Sequence, residues 1–180
     1  AVGIDYVAAL HASTPNSLLV DAGDATQGMP VVSLSRGASA IELMNAAGYD
    51  AMCLGNHEFD FGQEVLLTNA EAAEFPLLSA NVVCKDSGDA LLAGVGACGD
   101  GAIAVLECAG RHIGVFGITT VSTSHSTSPA NVEGLQFEDE VETARRCIAG
   151  LAAQGVDAIV ALCHLGDGPV SCRAVDLAAE

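Results

Sequence analysis

The sequence predicts an α/β layered fold, and three observations carry that prediction. Short apolar runs recur along the whole chain, segments of helical periodicity fall between them, and the helical segments stop at or near a glycine or a proline. Several of the runs are apolar throughout, as strands buried on both faces are. With 180 residues, 51% of them hydrophobic, the chain is long enough for one domain with a sizeable core.

The elements follow in order. Residues 4–12 read as a helix and residues 17–21 (SLLVD) as a strand. Ala40, Leu43, Met44 and Ala47 repeat at helical spacing and run into Gly48, a helix stop. Residues 51–54 (AMCL) form the next strand, residues 63–73 a helix that Pro76 closes off, and residues 77–83 (LLSANVV) a third strand. Residues 102–106 and 112–118 are predicted to pair as a hairpin turning near Gly110-Arg111. Residues 122–134, rich in Ser, Thr, Pro and Asn, make the longest loop. Val141, Ala144, Ile148 and Leu151 then mark a helix over residues 138–153 that ends near Gly155, and residues 158–163 (AIVALC) form the last strand. There is no internal repeat.

Charge and cysteine usage exclude several classes. The formal charge is −17, from 23 Asp and Glu against 6 Lys and Arg, which argues against a nucleic-acid polymer or an anionic membrane surface as partner. An acidic protein that handles phosphates needs metal ions to reverse the local field. No apolar run reaches the roughly 20 residues of a membrane helix; residues 91–110 come nearest and are broken by Asp100 and Glu107. The chain starts at Ala1 without a leader, so the expectation is a segment of a longer protein. Its 7 cysteines include no CxxC pair. Cys53, Cys147 and Cys163 lie in apolar periodic segments and are expected to be small buried hydrophobes. Cys84, Cys98 and Cys108 flank a glycine-rich excursion and are candidates for a disulfide if the protein is secreted.

In open α/β sheets, ligands gather at the carboxyl ends of strands. Three polar clusters fall at such ends: Ala22-Gly23-Asp24 after SLLVD, Gly55-Asn56-His57 after AMCL, and His164-Leu165-Gly166-Asp167-Gly168 after AIVALC. Each piece alone is more often a turn, a helix cap or a structural histidine. Three of them on three strand ends, one with a second carboxylate, Asp60, three residues after its histidine, are hard to explain as turns. Carboxylate, amide oxygen and imidazole together suit a borderline divalent ion such as zinc, manganese or iron better than calcium. That donor set points to a hydrolytic metal centre.

The segments LLVDAGDATQG, AIELMNAAGYDAMCLGNHEFDFG, PLLSANV, HIGVFGITT and GVDAIVALCHLG resemble successive blocks of the 5′-nucleotidase family, within the calcineurin-like metallophosphoesterases. The resemblance runs from about residue 3 to residue 168, and GNHEFDFG is its most specific motif. It implies a layered α/β-β-α sandwich carrying two divalent metal ions, Zn, Mn or similar. It also implies that Asp24 bridges both metals, that Asn56 and His164 bind the second, and that His57 and Asp60 are catalytic. The imidazole, oriented by the carboxylate, then stabilises charge on the phosphate or assists the leaving oxygen. Glu58, between them, is expected to cap or orient the loop, and Gln27-Gly28 to lie beside the site.

Two motifs of the family do not occur in the chain: an Asp-x-His pair on a first strand, and a Gly-His-x-His pair after the strand of His164. His11, His112 and His125 read as surface histidines and not as substitutes. The expectation is therefore that residues 1–180 form a partial metallophosphoesterase catalytic domain, inactive by itself, without the family's C-terminal substrate-binding domain. The function implied is metal-dependent hydrolysis of phosphate esters: nucleoside monophosphates, UDP-sugars or 2′,3′-cyclic nucleotides. The alternatives are a same-fold enzyme with another substrate, such as a thiosulfohydrolase, and a non-catalytic binding protein on a degraded phosphoesterase scaffold. By the same resemblance the protein is expected outside the cytoplasm: secreted, periplasmic or at the cell surface.

Overall fold

The structure, a computed structural model, describes residues 3–166 and Leu177. In chain order the elements are α1 (Ile4–Ser13), β1 (Val20–Asp21), α2 (Pro30–Leu34), α3 (Ala38–Ala47), β2 (Ala51–Cys53), α4 (Gln63–Ala72) and β3 (Leu77–Leu78). There follow β4 (Val82–Cys84), β5 (Ile103–Cys108), β6 (Arg111–Thr119), α5 (Thr123–Ser126), β7 (Leu135–Phe137), α6 (Glu140–Ala153) and β8 (Ala158–His164). β1, β2 and β3 form a parallel sheet in that order, with helical crossovers, as parallel strands require. A second sheet runs β5-β6-β8, antiparallel between β5 and β6 and parallel between β6 and β8. β4 and β7 pair as a small antiparallel ribbon.

Strand alternation decides what faces what. Met52 and Leu54 from the β2 segment, with Leu77, join Ile41 and Met44 of α3 and Leu66 and Ala70 of α4 in one core layer. The opposite-facing Ala51, Cys53 and Leu78 meet Val115 and Leu162 of the second sheet, so the two sheets stack face to face. On the far side of that sheet, Phe116 and Ile118 pack on Ala144, Cys147 and Leu151 of α6. The result is the helix, sheet, sheet, helix layering expected, and each fully buried Leu, Ile or Phe contributes roughly 1.5–3 kcal/mol.

Local signals place the ends. α3 stops at Gly48 in the left-handed region (φ 78). The α6 N-terminus is capped by Asp139, whose side chain accepts from the Glu142 amide. The predicted hairpin forms, with Cys108 opposite Arg111; its turn is Ala109-Gly110, one residue earlier than predicted, and both residues have positive φ (54 and 72). The run over residues 77–83 is two strands, not one. Between them the Asn81 side chain takes over from the ladder, its Nδ2 donating to the Thr119 carbonyl at 2.7 Å and its Oδ1 accepting from the Thr119 amide at 2.9 Å. α2 and β7 were not predicted, and the long loop contains α5 and a 3₁₀ turn at Pro129–Val132.

Cys84, Cys98 and Cys108, the candidates for a disulfide, are free thiols, as are Cys53 and Cys147. Cys98 is buried at the edge of the first core layer, so its sulfur is committed to packing. Cys53 and Cys147 are buried as predicted, while Cys163 is half-buried. Asp167, Gly168 and Cys172 lie outside the described residues. Among the described residues no helix is long and apolar enough to cross a membrane.

Candidate active site

The ends of β1 and β2 in one sheet and of β8 in the other meet at one point. Gly23 (φ 102) and Asp24 (φ 67) turn the chain sharply after β1. A Cβ on Gly23 would lie 2.5 Å from the Gly55 amide nitrogen, and a Cβ on Gly55 would collide with the Asp24 carboxylate. Only glycine at both positions lets the two loops approach this closely.

Asp24 is the hub. Its Oδ1 accepts from the His57 backbone N–H at 2.9 Å, and its Oδ2 lies 3.2 Å from His164 Nε2. His164 Nδ1 is 2.9 Å from the Ala22 carbonyl, to which it donates; this fixes the ring and turns Nε2 toward Asp24. Burial pushes the Asp24 carboxyl up, but the His164 hydrogen bond and the His57 amide outweigh it and hold the group below the usual carboxylate range. The same hydrogen bond raises His164.

His57 opens a 3₁₀ turn, His57–Phe59, that brings Asp60 back beneath its ring. His57 Nδ1 and Asp60 Oδ2 are 2.6 Å apart, and this hydrogen bond raises the imidazole above its ordinary value. The His57 side chain is 46% exposed against 24% for Asp60, so the ring faces solvent and the carboxylate braces it from within. Asp60 is held in turn by Gln27 Nε2 at 3.3 Å and Thr127 Oγ1 at 3.4 Å on its carboxylate, and by Asn131 Nδ2 at 3.0 Å on its carbonyl. Asn56, half-buried, sits between Gly55 and His57 at the rim of the same loop.

All five residues singled out from the sequence thus fall within this one constellation. Glu58 does not face the opening; it is buried beneath it. Gln27 lies beside the site as expected and also braces Asp60, a role with no sequence signal; Thr127 and Asn131 were not singled out, and their contribution depends on the loop 122–134 folding back over Asp60. His112 and His125 are exposed, as expected, whereas His11 is half-buried, its Nδ1 3.0 Å from Ser17 Oγ. Among the described residues no three His, Cys, Asp or Glu side chains converge as a metal site. The donors present are Asp24, the oriented His164 and the neighbouring amide of Asn56. They fit part of the coordination shell of a divalent cation, since an imidazole fixed through Nδ1 and an anionic carboxylate are its usual ligands.

No protein-family model matches the chain. Structurally it is similar to the calcineurin-like phosphoesterase YfkN of Bacillus subtilis, with a TM-score of 0.75 at 26% identity over 94% of this chain and 55% of that one. A 5′-nucleotidase precursor of Thermus thermophilus superposes with a TM-score of 0.76 at 34% identity, covering 91% of this chain and 31% of that one. In sequence, the probable 5′-nucleotidase of Treponema pallidum is 41% identical over 158 residues, which is 87% of this chain and 25% of that protein. The layered fold, with its polar strand ends, is that of the calcineurin-like phosphoesterases. More narrowly, the chain is homologous over most of its length to the 5′-nucleotidases, and it spans about a quarter of the length of the curated relatives it matches.

Proposed function

We propose that the chain supplies the phosphate-handling part of a metal-dependent phosphoesterase acting on nucleotides. The observation that supports this most strongly is the convergence of Asp24, His164 and the His57–Asp60 pair where three strand ends meet, although they come from well-separated parts of the chain. Asp24, with one oxygen toward His164 and the other on the His57 amide, would hold divalent metal together with His164 and Asn56. Metal held there, zinc or manganese by the donor chemistry, would lower the pKa of bound water and neutralise charge on phosphate oxygens. His57, whose ring the Asp60 hydrogen bond favours in the protonated form, presents a donor to the leaving oxygen or to a phosphoryl oxygen. Gln27, Thr127 and Asn131 fix Asp60, and through it the ring.

The whole protein tests this reading by phosphate release from a panel of nucleoside monophosphates, UDP-sugars and 2′,3′-cyclic nucleotides, with and without added Mn²⁺ or Zn²⁺ after chelation. The expected result is release that disappears on chelation and returns with metal. No release from any phosphoester would favour a non-catalytic binding protein or a same-fold enzyme with another substrate, and release that survives chelation would sink the metal role. His57→Ala is expected to lower kcat by about 10² or more while bound metal stays constant. Asn56→Ala is expected to lower metal occupancy. Loss of metal in His57→Ala would reverse the two assignments.

A further inference from the structure

Glu58 is 4% exposed, so its side chain is largely cut off from solvent. Its carboxylate is instead surrounded by donors from both loops of the site. Oε2 accepts from the Asp24 amide at 2.8 Å and from the Gly55 amide at 2.6 Å, and Oε1 accepts from the Thr26 amide at 3.1 Å and the Thr26 hydroxyl at 3.0 Å. A buried carboxylate is tolerated only when its lone pairs are satisfied, and four donors do so here. The donors are not a random set: three of them belong to the turn after β1 and one to the turn after β2, so a single side chain ties the two turns together.

The turn it holds is strained. Asp24 has φ 67, a left-handed conformation that residues with side chains adopt rarely, Asn and Asp more readily than the rest, and that the surroundings must hold in place. In that conformation the Asp24 amide points inward to Glu58 while its carboxylate points outward, Oδ1 onto the His57 amide and Oδ2 toward His164. Without an internal acceptor the Asp24, Thr26 and Gly55 amides would be buried and unpaired, and an extended backbone at Asp24 would turn its carboxylate away.

We propose that Glu58 is the positioning residue for the Asp24 carboxylate: a buried side chain that accepts four hydrogen bonds, fixes Asp24 in its left-handed conformation and so aims both carboxylate oxygens into the site. Its consequence for metal binding rests on the reading of Asp24 given above; its consequence for the His57 amide does not. The mild and the severe variants differ by design. Thr26→Val removes one of the four donors while leaving the Glu58 side chain intact, and Glu58→Gln places an NH₂ where an acceptor is needed. Leu151→Ala, in the core on the far side of the second sheet, serves as a destabilised control.

The test is amide hydrogen exchange of the full chain, reading His57 against core amides such as Val115, with Mn²⁺ binding measured in parallel. The expected result is that His57 exchange, relative to Val115, rises at least tenfold in Glu58→Gln and by a smaller factor in Thr26→Val, while the ratio is unchanged in Leu151→Ala. Mn²⁺ affinity should fall in the same order. His57 exchange that follows Val115 in every folded variant would overturn the proposal, as would an equal rise in Leu151→Ala. A wild-type protein that binds no Mn²⁺ would count against the metal reading of Asp24, while the exchange ratio would still decide the role of Glu58.

Discussion

At His57 the decisive quantity is the proton on the ring. The hydrogen bond to Asp60 raises the imidazole above its ordinary value near 6.5, so the cationic form persists to higher pH. Where folded-state pKa is raised, the stabilisation is fully present below the unfolded value and is lost as pH rises through the folded one. The ring is nearly half exposed, so this matters for chemistry more than for stability. Activity that needs the cation should fall on the alkaline side as pH passes the raised value. Asp60→Asn removes the carboxylate whose hydrogen bond raises it, and the alkaline limb of the kcat/KM profile should move to lower pH; a limb that stays in place would remove Asp60 from that role. The spacing of His57 and Asp60 made this pair legible in the sequence, because one tight turn returns the chain on itself. The contacts of Gln27, Thr127 and Asn131 with Asp60 were not legible, since Asp60 lies 33, 67 and 71 positions away and no local pattern encodes such a contact.

Among the elements, legibility followed length and periodicity. The helix over Glu140–Ala153 and the strand Arg111–Thr119 have several repeats of their period and were read correctly, whereas β7 and α2, with three and five residues, are too short to show one. The apolar run 77–83 concealed a break because Asn81, a buried polar residue, is satisfied by the backbone of Thr119 and so imitates strand pairing with its side chain. The β5–β6 turn shows how little the pattern says about strain. Ala109 occupies a positive-φ position that a two-residue hairpin turn reserves for Asn, Asp or Gly, followed by Gly110. Ala109→Asn makes the favoured Asn-Gly turn and should stabilise the protein by about 1 kcal/mol, raising Tm by roughly 2–4 °C. Ala109→Val should lower it, since a β-branched side chain is worse still there. Calorimetry on the two variants checks the sign, and equal Tm values would show that the turn relaxes freely.

Across the whole molecule, the site is a product of sheet stacking. Asp24 and His57 hang from the first sheet and His164 from the second, so the 3.2 Å approach of His164 to Asp24 reports the distance between the layers. Sequence patterns gave the strands but not which sheet each joins, because apolar runs of similar composition fit either. The spacing between layers is set in part by Gly117 of β6: a Cβ there would meet the Leu78 backbone carbonyl and lie 2.7 Å from its carbonyl carbon. Leu78 and Gly117 are tied in as well, Leu78 accepting from the Leu54 amide at 3.1 Å and Gly117 accepting from the Ala80 amide at 2.8 Å, so neither strand is free to yield. Gly117→Ala must therefore push the sheets apart, at a cost of about 1–3 kcal/mol and a Tm lower by several degrees. β8 is the parallel neighbour of β6, with Leu162 opposite Gly117, and His164 follows two residues on, so the displacement is carried to the site. Gly117→Ala should weaken Mn²⁺ binding, whereas Leu151→Ala, on the opposite face of the same sheet, should lower Tm at least as much and leave binding intact. Equal binding in the two variants would mean that the turns locate Asp24 and His164 without help from the sheets that carry them.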